Sequence, residues 1–136
     1  MRGASKWYKT LALHGNKIKY GFWQNLVSSK ENSAGNFERA AESVCYPEYL
    51  DHRITVNEGW LKCTDQEELD ETICHEMLHI VTAPLWDLGN KIIGELPSQK
   101  KAIYEDWFTT ENEKAISKLT EIITRLERGK NDTSTR

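Results

Sequence analysis

The clearest alternation of apolar and polar positions falls mid-chain. Ile54 and Val56 alternate with Arg53, Thr55 and Asn57, so a strand is predicted over 53–57 with Ile54 and Val56 turned to the core. Glu58-Gly59 turns the chain, and Trp60-Leu61 supplies bulk to pack beneath the next helix. Thr64-Asp65-Gln66-Glu67 reads as a capping box with Thr64 as the cap. Beyond it Leu69, Ile73, Met77 and Ile80 recur at offsets of four, four and three, the apolar stripe of an amphipathic helix. Pro84 sets the expected end of that helix near Ala83.

The flanking pattern is weaker. Leu85, Leu88 and Ile92 share one face of a second helix ending in the breaker segment Gly94 to Ser98. Ala102, Ile103, Trp107 and Phe108 suggest another amphipathic piece. Ala115, Ile116, Leu119, Ile122, Ile123 and Leu126 form a terminal helix, either capped by Thr110 with Glu113 or continuous with the piece before it. Towards the N-terminus, a helix is expected from Trp7 to Leu13, with Gly15-Asn16 breaking it, and a short strand over Lys17 to Tyr20. Phe22 to Val27 has helical spacing, Ser28 to Gly35 is loop-like, and Ser43 to Tyr46 is extended up to Pro47. Residues 1–128 therefore read as one domain and 129–136 as a flexible polar tail.

With 136 residues the chain has room for one core. Its 18 basic and 21 acidic residues sum to −3, which leaves no broad cationic surface for a phosphate backbone, so no nucleic-acid partner is expected. No run approaches the roughly 20 apolar residues of a membrane span, and no membrane association is expected. Cys45, Cys63 and Cys74 are odd in number and widely spaced, the pattern of buried or half-buried free thiols in a cytoplasmic protein.

Chemistry enters inside the best helix. His75 and His79 stand four apart, so one helical face presents both imidazoles at the separation a tetrahedral metal needs. Glu76 follows the first histidine and can reach water at the metal without being a ligand. This is the His-Glu-x-x-His zinc-hydrolase arrangement. The alternative, a surface helix with incidental histidines, sits badly with a carboxylate beside the core stripe, which is costly unless compensated. Cys74 points away from the pair. The longer motif with a third histidine is excluded because position 85 is Leu85 and position 82 is Thr82. A glutamate from a later helix remains as third ligand. Glu113 and Glu111, placed at the start of the terminal helix, Asp87 and Glu95 are the candidates, with His14 and His52 as outsiders. Glu113 has a blander reading as the capping acid for Thr110, and Glu111 as a solvated first-turn acid.

These residues carry a resemblance. Ile54-x-Val56-Asn57, the acidic lead-in Glu67 to Ile73, His75-Glu76-Met77-Leu78-His79 and Ala83-Pro84-Leu85 resemble the small metallopeptidases of phages and prophages, minimal gluzincin-like zinc proteins. The resemblance covers about residues 50–125 and is strongest around the motif. It implies an α+β, zincin-like fold, with a small β-sheet against the motif helix and additional C-terminal helices. It also implies Glu113, ahead of Ala115-Ile116, as third ligand, and a phage or prophage origin, hence the host cytoplasm. The chain departs from larger gluzincins in lacking their Asn-Glu-x-x-x-Asp signature, since Asn112-Glu113 is followed by Ser117.

The expected function is hydrolysis of peptide bonds with Zn2+ as cofactor. His75, His79 and Glu113 hold the metal and Glu76 acts as general base on water at the metal. His52, Tyr104 and Tyr46 are candidate oxyanion donors. The substrate is a peptide or protein, with a protein partner as one means of completing a shallow cleft. The alternative is a catalytically silent zinc-binding protein, a phage-encoded interaction or regulatory module, for which exposed Trp7, Trp23 or Trp86 would be a sign.

Overall fold

Strand β3, Asp51–Asn57, is the middle of a three-stranded sheet in a computed structural model that describes residues 2–23 and 40–133. Strand β1, Lys17–Trp23, lies parallel to it on one side, and β2, Ala41–Tyr46, antiparallel on the other. Cys45 stands opposite His52, Ser43 opposite Ile54 and Ala41 opposite Val56. Because side chains alternate, His52, Ile54 and Val56 all turn to the core, and the two aliphatic residues have no exposed surface. The expected strand is present and begins two residues earlier than the sequence pattern placed it.

Helix α1, Arg2–Thr10, packs Trp7 into the core against the motif helix. Gly15, at φ +91°, makes the turn into β1 in a conformation that a side chain would disfavour. Phe22 and Trp23, expected to open a helical element, continue β1, where pairing with β3 overrides their spacing. The rest of that element and the loop expected over Ser28 to Gly35 lie outside the described residues. A 3-10 turn at Pro47–Tyr49 links β2 to β3. The turn expected at Glu58-Gly59 is a one-turn helix, α2 (Glu58–Leu61), whose first N–H groups donate to the Asn57 side chain.

Helix α3 runs over Gln66–Gly94. Its cap is Asp65, whose carboxylate accepts the Glu68 N–H at 2.8 Å, while the Thr64 hydroxyl donates to the Glu68 side chain at 2.6 Å. The cap is therefore Asp65, one residue later than the expected Thr64. Pro84 does not end the helix. It removes one backbone donor, a cost met where the next turns pack on another helix, α4 (Ser98–Thr133). The two helices expected on either side of Pro84 are thus one. The breaker at Gly94 to Ser98 is where the sequence placed it.

The pieces expected around Trp107 and Ile116 are likewise a single helix, so Thr110 and Glu113 sit mid-helix and cap nothing. α4 continues to Thr133. Ile116 is fully buried, with Thr120 and Thr124 beside it. Each threonine hydroxyl donates to a carbonyl one turn back, at 2.9 and 2.8 Å, which satisfies it without a partner from α3. Leu119, Ile122 and Leu126, expected to share the core face, are exposed instead.

The result is a mixed α+β fold in which α3 is packed by the sheet, α1 and α4. Ile73, Met77 and Ile80 of the expected stripe are buried, joined by Cys74 and Leu78. Leu85, Leu88 and Ile92, expected on one face of a second helix, are exposed. Of the thiols, Cys74 is buried and Cys45 half-buried, but Cys63 is exposed, contrary to expectation. No helix among the described residues is long and apolar enough to cross a membrane.

His52 carries a pH prediction. Its Nε2 is 2.8 Å from the Asn16 side-chain oxygen, so the neutral ring donates there. Its buried Nδ1 has no hydrogen-bond partner among the described residues. Burial pushes the imidazole below its ordinary value, against the smaller upward pull of Asp51. A lowered folded pKa means that the unfolded chain takes up the proton first. This contribution to stability is complete above about pH 6.5 and declines as pH falls below it, by at most about 1.4 kcal/mol per pH unit. Wild type should therefore lose melting temperature between pH 7 and 5 more steeply than His52→Gln, and an NMR titration of His52 should have its midpoint below 6.5. A midpoint above that value refutes the assignment.

Candidate metal centre

The centre is assembled from consecutive turns of α3 and the middle of α4. His75 and His79 are held on one face of α3 by burial of the neighbouring turns at Cys74, Met77 and Leu78. Their Nε2 atoms lie 3.2 Å apart. From α4, Glu113 brings one carboxylate oxygen to 3.5 Å from His75 Nε2 and the other to 3.5 Å from His79 Nε2. Two donor atoms on a tetrahedral zinc are about 3.3 to 3.5 Å apart, given bonds of 2.0 to 2.2 Å. The three side chains bring one donor atom each to within 4.8 Å of one another, close to the spacing such an ion needs. Among the described residues they form the one group of His, Cys, Asp or Glu able to hold a metal, and no fourth ligand joins them.

The other acids considered from the sequence are engaged elsewhere or point away. Glu111 pairs with Lys114 and Asp87 with Lys91, both at 2.7 Å, and exposed Glu95 caps the end of α3. His14 packs edge-on against Tyr8. Cys74 is in the core, away from the pair.

Glu76 is buried beside the centre at 7% exposure. Burial raises its carboxyl above the usual range, opposed by a hydrogen bond from the Ser43 hydroxyl and by His75, while Glu113 adds to the rise. Burial also holds His79 below the ordinary histidine value despite Glu113, favouring the neutral ring that a metal requires.

These groups line a cleft of about 470 Å³ between β2 and the α3–α4 hairpin. Ala41, Glu42, Ser43 and Cys45 form the sheet side, and Thr109, Asn112 and Glu113 the α4 side. Among its described lining residues there is no lysine or arginine. His52, Tyr46 and Tyr104 do not line it, so the three expected oxyanion donors lie elsewhere. The polar groups beside the centre include Glu42, Ser43, Thr82, Thr109 and Asn112, which the sequence pattern does not single out. Alternation over Ser43 to Tyr46 does put Ser43 and Cys45 on one face, but nothing local says that this face meets α3. Trp7 is buried, and Trp23 and Trp86 are half-buried, so none is the fully exposed tryptophan that would mark an interaction module.

A small mixed sheet on a His-Glu-x-x-His helix, with a glutamate arriving from a later helix, defines a zincin-like metalloprotein. The model of the SprT-like family matches residues 13–90, more than half of the chain, and the chain belongs to that family of gluzincin-type zinc metalloproteases. The match reaches further towards the N-terminus than the resemblance carried by the motifs. It ends within α3, so Glu113 lies outside it. Neither a curated protein nor a solved structure matches the chain.

Proposed function

We propose that the protein is a zinc metallopeptidase that cleaves peptide bonds, with His75, His79 and Glu113 as metal ligands and Glu76 as general base. The observation that carries this reading is the convergence of three donor atoms within 4.8 Å, with Glu76 buried next to them and no fourth ligand among the described residues. Three ligands with one position open is the pattern of catalytic zinc sites, whereas structural sites are closed by a fourth. Zinc bound there would acidify water and polarise the scissile carbonyl.

The chain's own residues account for the proton traffic. Glu76 takes a proton from the attacking water and passes it to the leaving amine. Burial raises the carboxyl above its usual range, which favours taking up the proton that is then passed on. The Ser43 hydroxyl holds the Glu76 carboxylate in place through its hydrogen bond. Ser43, Thr109 and Asn112 present polar groups to the substrate backbone. The cytoplasm, of a host cell where the gene is carried by phage or prophage, is the proposed place of action, supported by three thiols free of disulfides.

The test is metal analysis with peptide-library cleavage. Protein purified without chelator should carry about one zinc per chain. Its cleavage of the library should disappear on chelation and return with stoichiometric zinc. Metal-free protein, or cleavage indifferent to chelator, overturns the proposal.

A further inference from the structure

Two turns beyond His79, the floor of the cleft ends in Trp86. We propose that Trp86 is a specificity-determining residue, forming an apolar subsite that selects a bulky aromatic or aliphatic side chain two to three residues from the scissile bond. The inference rests on the cleft's being the substrate site proposed above.

The subsite is built rather than incidental. The Trp86 indole stacks on the Phe108 ring of α4, with centroids 4.9 Å apart and planes 12° from parallel. Phe108 in turn lies directly on the α3 backbone at Gly89, where an added Cβ would come within 2.2 Å of the ring. Gly89 therefore lets Phe108 back the indole, and the indole is half-buried with surface remaining in the cleft. Packing of α3 on α4 explains the contact with Phe108. It does not explain why the indole also lines the cleft.

Between His79 and Trp86 the lining is small: Thr82 and Ala83 on α3, with Thr109 across from them. That leaves room for a side chain to lie against the indole. Seven helical residues span about 10 Å, and an extended peptide covers that in about three residues, which sets the distance from the scissile bond. Trp86 is the only Trp, Tyr or Phe among the described lining residues. The lining residues that precede it on α3, Thr82 and Ala83, are neutral, so an apolar side chain gains by burial there, while the cleft's carboxylates, Glu42, Glu76 and Glu113, are the lining groups that would draw a lysine.

The test measures binding rather than turnover. Zinc-loaded Glu76→Gln protein is titrated with blocked eight-residue alanine peptides carrying a single Phe walked through every position, with single-Lys and single-Asp series alongside. One Phe position should bind on the order of tenfold tighter than all-alanine peptide. Trp86→Ala in the same background should reduce that preference to within about twofold, and Trp86→Phe should keep most of it. Thr109→Trp, at an exposed position on the opposite wall, should abolish it by filling the space, which covers the case in which Trp86→Ala fails to fold. A Phe preference that survives both Trp86→Ala and Thr109→Trp overturns the inference. So does a Lys preference at that position, or no Phe preference anywhere. Failure of the hydrolysis proposal looks different: peptides then bind with the stated preference, but wild type does not cleave them.

Discussion

Glu76→Gln should abolish peptide cleavage while leaving zinc content unchanged. Glutamine keeps the shape of the side chain and loses its ability to take a proton. If Glu76 is the base, kcat/KM should fall by about 10²- to 10⁴-fold, the usual contribution of a positioned general base. The metal should remain because its three candidate donors are His75, His79 and Glu113. Nor should folding suffer. A carboxylate at 7% exposure is disfavoured by its own burial, and a neutral amide relieves that cost while still accepting a hydrogen bond from Ser43. Metal analysis and melting curves on the purified variant separate these effects from loss of activity. Equal activity of wild type and variant would remove Glu76 from its assigned role. Equal inactivity with full zinc occupancy would favour a binding protein without turnover.

Glu113→Ala should instead strip the metal. Even partners that only orient a ligand cost about 10- to 100-fold in affinity when removed, so loss of a ligand should exceed that range. Competition with a chromophoric chelator measures it directly. Glu111→Ala is the control, two positions away on α4, exposed and paired with Lys114 at 2.7 Å. It should shift affinity little, because exposed ion pairs contribute about 1 kcal/mol or less. The Glu113 side chain is 49% exposed, so its loss should leave the stability of the metal-free fold nearly unchanged. Loss of stability without loss of metal would mark Glu113 as structural. The reverse ranking of the two variants would move the third ligand to Glu111.

The site is only partly legible in the sequence, and the misses share one cause. Periodicity reports which residues share a face, and it finds the Ile73–Met77–Ile80 stripe and the strand bearing Ile54 and Val56. It does not report whether anything covers that face. Leu85, Leu88 and Ile92 repeat as regularly as the buried stripe yet lie exposed, while Thr120 and Thr124, polar by type, are buried because each hydroxyl bonds its own helix. Pro84 reads locally as a stop because local rules weigh the lost donor and not the packing that holds the following turns. The polar cleft residues Ser43 and Asn112 leave no local signal, since they matter through neighbours distant in the chain.

What the sequence determined by itself is the part of the site whose geometry is local. Four residues along one helix fix the separation of His75 and His79 and place Glu76 beside them, whatever surrounds the helix. The tertiary structure decided the rest. Glu113 reaches the histidines only because α3 and α4 are each continuous and pack side by side, bringing mid-helix residues 34 positions apart within 3.5 Å. The same packing places β2 along one wall of the cleft and Trp86 at the end of its floor. Helical spacing is set by backbone hydrogen bonds, which neighbouring residues specify, whereas the meeting of two helices depends on side-chain packing along their whole length.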